Sequence, residues 1–468
     1  MIPASTLALA GATHALVRRH LFPGDGCEAA AILLCTKPSG APRDRLLVRE
    51  ALPVPHDACA CREPDRIVWP GAWIEKAVDA AEADDLALVL IHSHPGGLFA
   101  FSQADDDSDR RVIPGLFHAL GPRHGSAIMT PDGAVRARLY GPDMRPRQVD
   151  LVSVAGDNLS FFWDDDPRPR ATPARPPAFT GAMTAELNRL TAAVIGVSGT
   201  GSIVAEQAAR LGFGRVVMVD FDKVEPRNLN RILNATSRDA SERALKVEMF
   251  ADAIRSHRGD GVAVPIVASV ATREAVLSAG AADVLFCCVD TLEARQIADL
   301  VASAFLIPLV DMGVVIPMRR AGAGVAIADV VGRVDFVQPG GSSLLDRGVY
   351  SPESLRAEYL RRAAPDAHRQ ELEAGYIKGA IEEAPAVITL NMRTAATAMN
   401  EFIARAYPFR LDANAGFART QFSLAACEEE HLAEGGFPRS DQPQFGRGAS
   451  EPLLGLPALR APKSARAS

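Results

Sequence analysis

The chain has 468 residues, of which 48% are hydrophobic and 23% charged, a usage that excludes wholesale disorder, a fibrous repeat and a small stapled scaffold. Fifty Lys and Arg against 57 Asp and Glu give a formal charge of −7, without the basic excess that tracks a phosphate backbone, which argues against nucleic acid as a partner. Seven scattered cysteines, and an N-terminal stretch Met1–Gly11 that is apolar but lacks a basic leader, point to a reducing, cytoplasmic setting. Even the apolar run Leu86–Ile91 stops at His92, far short of the ~18 residues of a membrane helix, so no membrane partner is expected.

At roughly 100–200 residues per domain the length predicts two to four domains. In chain order, a helix pattern over Thr13–His20 is followed by strand patterns at Ala29–Cys35 and Arg45–Glu50 and by a helix over Pro70–Ala83. The strands Leu86–Ile91, Ser126–Met129 and Val135–Leu139 complete an α/β domain over residues 1–160. Asp164–Ala178 carries three aspartates and then five prolines interleaved with arginines, a composition that prefers extended conformations and reads as a linker. Beyond it, helix Met183–Leu190 leads into strand Ala192–Ile195, a glycine-rich turn and helix Ile203–Leu211. Strands at Val216–Asp220, Ala263–Val267, Val284–Val289 and Leu309–Met312 then alternate with helices at Arg243–Ser256, Arg273–Ala279 and Leu292–Ala304. This alternation predicts a doubly wound, Rossmann-like domain with a mostly parallel sheet. A β-rich stretch Val314–Val337 and helices Ser354–Ala363 and Val387–Ala406 close a domain over residues 180–427. Residues 428–468, rich in Gly, Pro, Arg and Ser, read as a poorly ordered tail.

The first chemistry-bearing pattern ends the run Leu86–Ile91, where His92-Ser93-His94 is followed, eight residues after His94, by Ser102 and then Asp105. Residues two apart in a strand point the same way, so His92 and His94 can offer two imidazoles to one ion. Ser102 to Asp105 is one helical turn, which returns the Asp105 carboxylate toward the same point. Three protein ligands leave one position for water, and Glu28, just before a buried strand, is the upstream carboxylate in the right context for a general base, with Glu50 its rival. His56, Cys59 and Cys61 form a second, weaker cluster.

This pattern, from Glu28 to Asp105, resembles the JAMM motif of the JAB/MPN metalloprotease superfamily. The resemblance implies zinc held by His92, His94 and Asp105, a water proton handled by Glu28, and Ser102 hydrogen-bonded to the tetrahedral intermediate.

The second pattern is Gly196-Val197-Ser198-Gly199-Thr200-Gly201, after a strand and opening a helix, where backbone amides can cradle phosphates. Ser198 stands where the dinucleotide fingerprint has its middle glycine, which weakens a nicotinamide-dinucleotide reading, and Asp220 ends the next strand within reach of ribose hydroxyls. The order Asp220-Phe221-Asp222, Asn228-Leu229-Asn230-Arg231, Lys246 and Cys288-Val289-Asp290 resembles the ThiF/MoeB and ubiquitin-activating-enzyme adenylyltransferases. The resemblance implies that Gly196, Gly199 and Gly201 hold ATP, Asp220 binds ribose, Asn228, Arg231 and Lys246 contact phosphates, and Asp290 positions magnesium. Members of this family commonly form homodimers, which is the expectation here. Relatives that pass their substrate on as a thioester need a further cysteine. No cysteine occurs between Cys288 and Cys427, which leaves Cys427 by elimination, although Glu428, Glu429 and Glu430 beside it disfavour a thiolate.

Together the two resemblances imply opposite reactions at the C-terminus of one small ubiquitin-like protein: zinc-dependent cleavage that matures or removes it, and ATP-dependent adenylation of its terminal glycine, with a conjugating enzyme as further partner. The alternatives are activation of a sulfur-carrier protein for cofactor synthesis and a binding module whose sites have lost activity.

Overall fold

The computed structural model describes residues 1–37, 43–166, 175–321, 324–364 and 387–461; the middle of the expected linker lies outside the described residues. The chain builds two mixed α/β units around two main sheets.

In strand Ala30–Thr36 every residue is buried, and the alternation of strand side chains explains how both faces find partners. Ala31, Leu33 and Cys35 pack with Val17 and Leu21 of helix Gly11–Leu21. Ile32 and Leu34 pack with Ala77 and Ala81 of helix Ala72–Glu82 and with Ile113 and Leu116 of helix Gln103–Leu120. The sheet has nine strands in the order Leu159–Trp163, Leu151–Ala155, Ser5–Ala10, Asp44–Pro53, Ala30–Thr36, Leu86–Ser93, Gly125–Met129, Val135–Tyr140 and Pro146–Gln148. The apolar N-terminal stretch thus supplies an interior strand, Ser5–Ala10, parallel to both neighbours.

The second main sheet runs Ala263–Ile266, Arg215–Val219, Thr191–Ile195, Val284–Cys287, Leu309–Val315, Val331–Val337, Arg419–Ser423, Glu428–Leu432. The first five strands are parallel, as the strand–helix alternation predicts; the last three join antiparallel. Helices Gly199–Leu211, Lys246–Arg258 and Ile388–Ala406 cover one face, and helices Arg273–Gly280 and Leu292–Phe305 cover the other. The chain begins at Thr191–Ile195, winds outward through Arg215–Val219, and crosses back to Val284–Cys287 on the other side. A crevice therefore opens beyond the carboxyl ends of these strands, where doubly wound sheets bind ligands.

The expectation of a poorly ordered tail needs correction up to residue 461. Glu428–Leu432 is a strand of the second sheet, so the unit does not end at 427. Leu453, Leu454 and Leu459 are buried in the core beside Ile297 and Val301. Composition hid this because a few well-spaced leucines among Gly, Pro and Arg bury enough apolar surface to fix the segment. Residues 462–468 lie outside the described residues.

Candidate functional site

The His-x-His segment closes strand Leu86–Ser93, which pairs antiparallel with Ala30–Thr36 in a register that sets His92 opposite Ala30. The start of one strand therefore meets the end of the other, and Glu28 arrives beside the histidines. One ligand atom from each of Glu28, His92 and His94 lies within 4.8 Å of the others. The two imidazole Nε2 atoms are 3.0 Å apart, and Asp105 reaches them at 3.0 Å from His92 and 3.5 Å from His94. His94 Nδ1 lies 2.8 Å from the Leu98 carbonyl. A carbonyl only accepts, so Nδ1 bears a hydrogen; Nε2 donates to Asp105 when the ring is protonated, and in the neutral ring it turns a lone pair toward the point where His92 and Asp105 meet. Two such nitrogens and a carboxylate converging on one point form a donor set that suits zinc.

Asp105 is placed by its helix. Ser102 is the N-cap of Gln103–Leu120, its Oγ accepting from Asp105 N at 3.2 Å while Ser102 N donates to Asp105 Oδ2 at 2.6 Å. Burial pushes the Asp105 carboxyl up, yet hydrogen bonds from both histidines outweigh it and hold the group below the usual carboxylate range. His94 is pulled down by burial and raised further by Asp105. Glu28 is buried, and burial raises its carboxyl against the opposing pull of the histidines. Glu50, by contrast, is exposed on Asp44–Pro53, paired with Leu34. The other cluster weighed does not assemble: His56 stacks on His20 with centroids 4.5 Å apart and bonds the His20 carbonyl, and the group of three metal-ligating side chains found among the described residues is Glu28, His92 and His94.

The crevice of the second sheet holds a cavity of about 1280 Å³. Of the residues singled out in the sequence, Gly196, Gly199, Asp220, Asn228, Arg231, Lys246 and Asp290 all line it, delivered by loops at the carboxyl ends of successive strands. Gly196 has φ +84°, a backbone that favours glycine. The buried Asp220 ties the turn to the tip of its own strand, accepting from Val197 N at 2.7 Å and Asp222 N at 2.8 Å. Lys246, at the first position of helix Lys246–Arg258, is 5% exposed and pairs with Asp222 at 2.7 Å. Arg231 donates to the Arg227 carbonyl at 2.9 Å, and Asn228 accepts from Glu225 N at 3.0 Å. Asp290 is exposed.

Two residues singled out in the sequence stand apart from the cavity. Gly201 is buried inside helix Gly199–Leu211, where a Cβ would run into the Gly196 carbonyl; its lack of a side chain serves close packing of helix on turn. Cys427 is exposed at φ +56° in the turn between strands Arg419–Ser423 and Glu428–Leu432, and is not among the lining residues. Conversely, Arg295 and Asn391 line the cavity without having been singled out. Arg295 is buried and donates to the Val289 carbonyl at 2.7 Å and the Met312 carbonyl at 3.0 Å, bracing the loop that carries Asp290. Two charges one turn apart, Arg295 and Asp299, on the buried face of an apolar-rich helix were the available signal.

Comparison with known proteins accords with this division. The model of prokaryotic homologs of the JAB domain matches residues 12–140, and the ThiF family model matches residues 174–402. Ubiquitin-like modifier-activating enzyme 5 of Bombyx mori is 26% identical over 169 residues, which are 34% of this chain and 39% of that protein. The Caenorhabditis elegans enzyme of the same name is 32% identical over 122 residues, 24% of this chain and 28% of that one. The chain thus spans well under half the length of the curated relatives it matches. Among solved structures, E. coli MccB with ATP superposes with a TM-score of 0.41 at 15% identity, over 55% of this chain and 67% of that one. E. coli MccB with MccA-N7isoASN gives 0.42 at the same identity and coverage. The chain joins a prokaryotic JAB-like domain to a C-terminal ThiF-family domain related to the ubiquitin-like modifier-activating enzymes.

Proposed function

We propose that the chain acts twice on the C-terminus of a ubiquitin-like protein, adenylating its terminal glycine with ATP in the ThiF-family unit and releasing or maturing that terminus by zinc-dependent peptide cleavage in the JAB-like unit. The observation that carries this reading is the convergence of Gly196, Gly199, Asp220, Asn228, Arg231, Lys246 and Asp290 on one cavity at the switch point of the sheet.

Adenylation requires a carboxylate oxygen to attack the α-phosphate while the bond to the β-phosphate breaks and pyrophosphate leaves. Two anions must meet, so positive charge has to be in place beforehand. Arg231 and the buried Lys246 supply it, and the turn amides at the helix N-terminus add N–H donors. Asp290 would hold magnesium, which supplies further charge at the phosphates. Asp220, held rigid by two backbone amides, keeps lone pairs for ribose hydroxyls.

In the other unit, His92, His94 and Asp105 would hold zinc, which supplies a Lewis acid for hydrolysis. Glu28 takes the water proton, and the burial that raises its carboxyl suits a group that accepts a proton and returns it. Ser102, whose Oγ accepts from Asp105 N, keeps its hydroxyl hydrogen to donate to a developing oxyanion. The relatives named as modifier-activating enzymes favour protein modification over sulfur-carrier activation. Cys427 is not among the lining residues of the cavity, and in this reading the thiol of a separate conjugating enzyme attacks the adenylated glycine, AMP leaving.

The test is ATP–pyrophosphate exchange with a ubiquitin-like partner ending in glycine. Exchange should require magnesium and fall by about 100-fold or more in Arg231→Ala and Asp290→Ala, the scale of losing one preorganised charge at the reacting phosphate. Wild-type exchange in both variants, or micromolar nicotinamide-dinucleotide binding without ATP binding, contradicts the assignment.

A further inference from the structure

Helix Ile388–Ala406 packs its apolar face, Ala395, Ala398, Met399 and Phe402, into the core beside Val204, Ala205 and Ala208 of helix Gly199–Leu211. This packing brings Asn391, from a segment far down the chain, against the glycine turn. A Cβ on Gly199 would collide with Asn391 Nδ2 and would stand 3.1 Å from Arg231 Cδ, so the carboxamide and the arginine flank the same glycine. Asn391 is 2% exposed, lines the cavity, and its Oδ1 has no hydrogen-bond partner among the described residues. Buried amide groups are nearly always hydrogen-bonded, because leaving one unpaired costs stability. Asn391 thus brings to the wall of the cavity a carboxamide whose oxygen is unpaired and whose nitrogen lies against the glycine turn.

Its place in the cavity selects the ligand atoms. In the nucleotide reading, Asp220 at the tip of the neighbouring strand marks the ribose end and Gly199 and Arg231 the phosphate end, and all three line the cavity. A carboxamide can exchange its oxygen and nitrogen by a half-turn about χ2 with little change of shape. We propose that Asn391 is a phosphate-contacting residue, donating Nδ2–H to an oxygen of the bound nucleoside triphosphate, with Arg231 on the other side of Gly199. This rests on the nucleotide reading of the cavity and extends it to a residue on a helix that otherwise belongs to the core.

The test is equilibrium binding of the β,γ-imido analogue of ATP with magnesium, and of adenosine, to the full chain. Asn391→Ala should weaken the triphosphate analogue about 10-fold or more, the scale of one hydrogen bond to a charged group. Asn391→Asp, which keeps the shape but opposes phosphate with a carboxylate, should weaken it further, while adenosine is bound by both variants as by wild type. Should Asn391→Ala fail to fold, Asn391→Asp carries the comparison. Unchanged or tighter triphosphate binding by Asn391→Asp overturns the proposal, as does equal weakening of adenosine and triphosphate. A wild-type protein that binds neither ligand overturns the nucleotide reading itself, which separates that failure from this one.

Discussion

His94 uses both ring nitrogens: Nδ1 donates to the Leu98 carbonyl, which leaves Nε2 as the nitrogen that faces His92 and Asp105 and bears the lone pair when the ring is neutral. Without a cation, the protein balances this cluster by drawing Asp105 down and His94 up. Deleting one of three ligands leaves too few to hold an ion, so purified His92→Ala and Asp105→Ala should lose the roughly one zinc per chain expected of wild type. Glu28→Gln should keep the zinc and lose cleavage of a ubiquitin-like fusion, because an amide cannot take the water proton. Metal analysis finding full zinc in both ligand variants rejects the donor set, and wild-type cleavage by Glu28→Gln rejects the base. At this scale the sequence was informative wherever chemistry has a period. His92 and His94 follow the two-residue repeat of a strand, and Ser102 and Asp105 follow one helical turn. Glu28 could be preferred to Glu50 by its place just before a buried strand, but its approach to the histidines comes from the pairing of Ala30 with His92, a contact between distant segments. Asn391 carried no such signal, being one of several polar residues in an amphipathic helix.

Elements bring constraints that no single motif reveals. His124 enters strand Gly125–Met129 fully buried, its Nδ1 accepting from Leu88 N at 2.9 Å, and burial, with Lys37 nearby, pushes its pKa down to about 4 from 6.5. In the unfolded chain this imidazole takes up a proton near pH 6.5, whereas folded it resists until about pH 4. The unfolded state binds more protons in that window, so stability falls as pH drops across it, by roughly 3 kcal/mol in total from this residue. His124→Asn, whose Oδ1 can accept from Leu88 N without titrating, should lose correspondingly less stability between pH 7.5 and 4 in denaturant titrations; parallel curves for the two proteins contradict the assignment. Most helices and strands were legible because their apolar positions alternate or recur over enough residues. Leu151–Ala155, Leu159–Trp163 and Arg419–Ser423 were not: each is five residues long, Leu151–Ala155 and Arg419–Ser423 pair with strands far away in sequence, and Leu159–Trp163 joins the sheet as a hairpin on Leu151–Ala155.

The whole molecule is joined by more than its linker. Arg43 pairs with Asp283 at 2.8 Å, both buried, and Asp283 also accepts from Thr191 N at the start of the first strand of the second sheet. Arg45 donates to the Ala282 carbonyl at 2.8 Å, and Thr36 Oγ1 to the Gly446 carbonyl at 2.6 Å. Leu151, Ala155, Leu159 and Trp163 of the first unit share a core with Met183 and Leu187, while Ala8 and Leu47 share one with Leu285 and Leu453. None of this seam was legible from composition, since its charges are single residues whose partners lie more than 200 positions away. Covalent and packed connection would keep a partner released at one proposed site at high effective concentration for the other. The measurement that tests the central claim is pyrophosphate release from ATP when the full chain is given a ubiquitin-like precursor extended beyond its terminal glycine. Wild type should release pyrophosphate from this precursor, Glu28→Gln should do so only when the partner is supplied already trimmed, and Arg231→Ala should be impaired with either form. Equal release by Glu28→Gln from extended and trimmed partner, or none by wild type from the trimmed one, would contradict a protein that first exposes and then activates the same carboxylate.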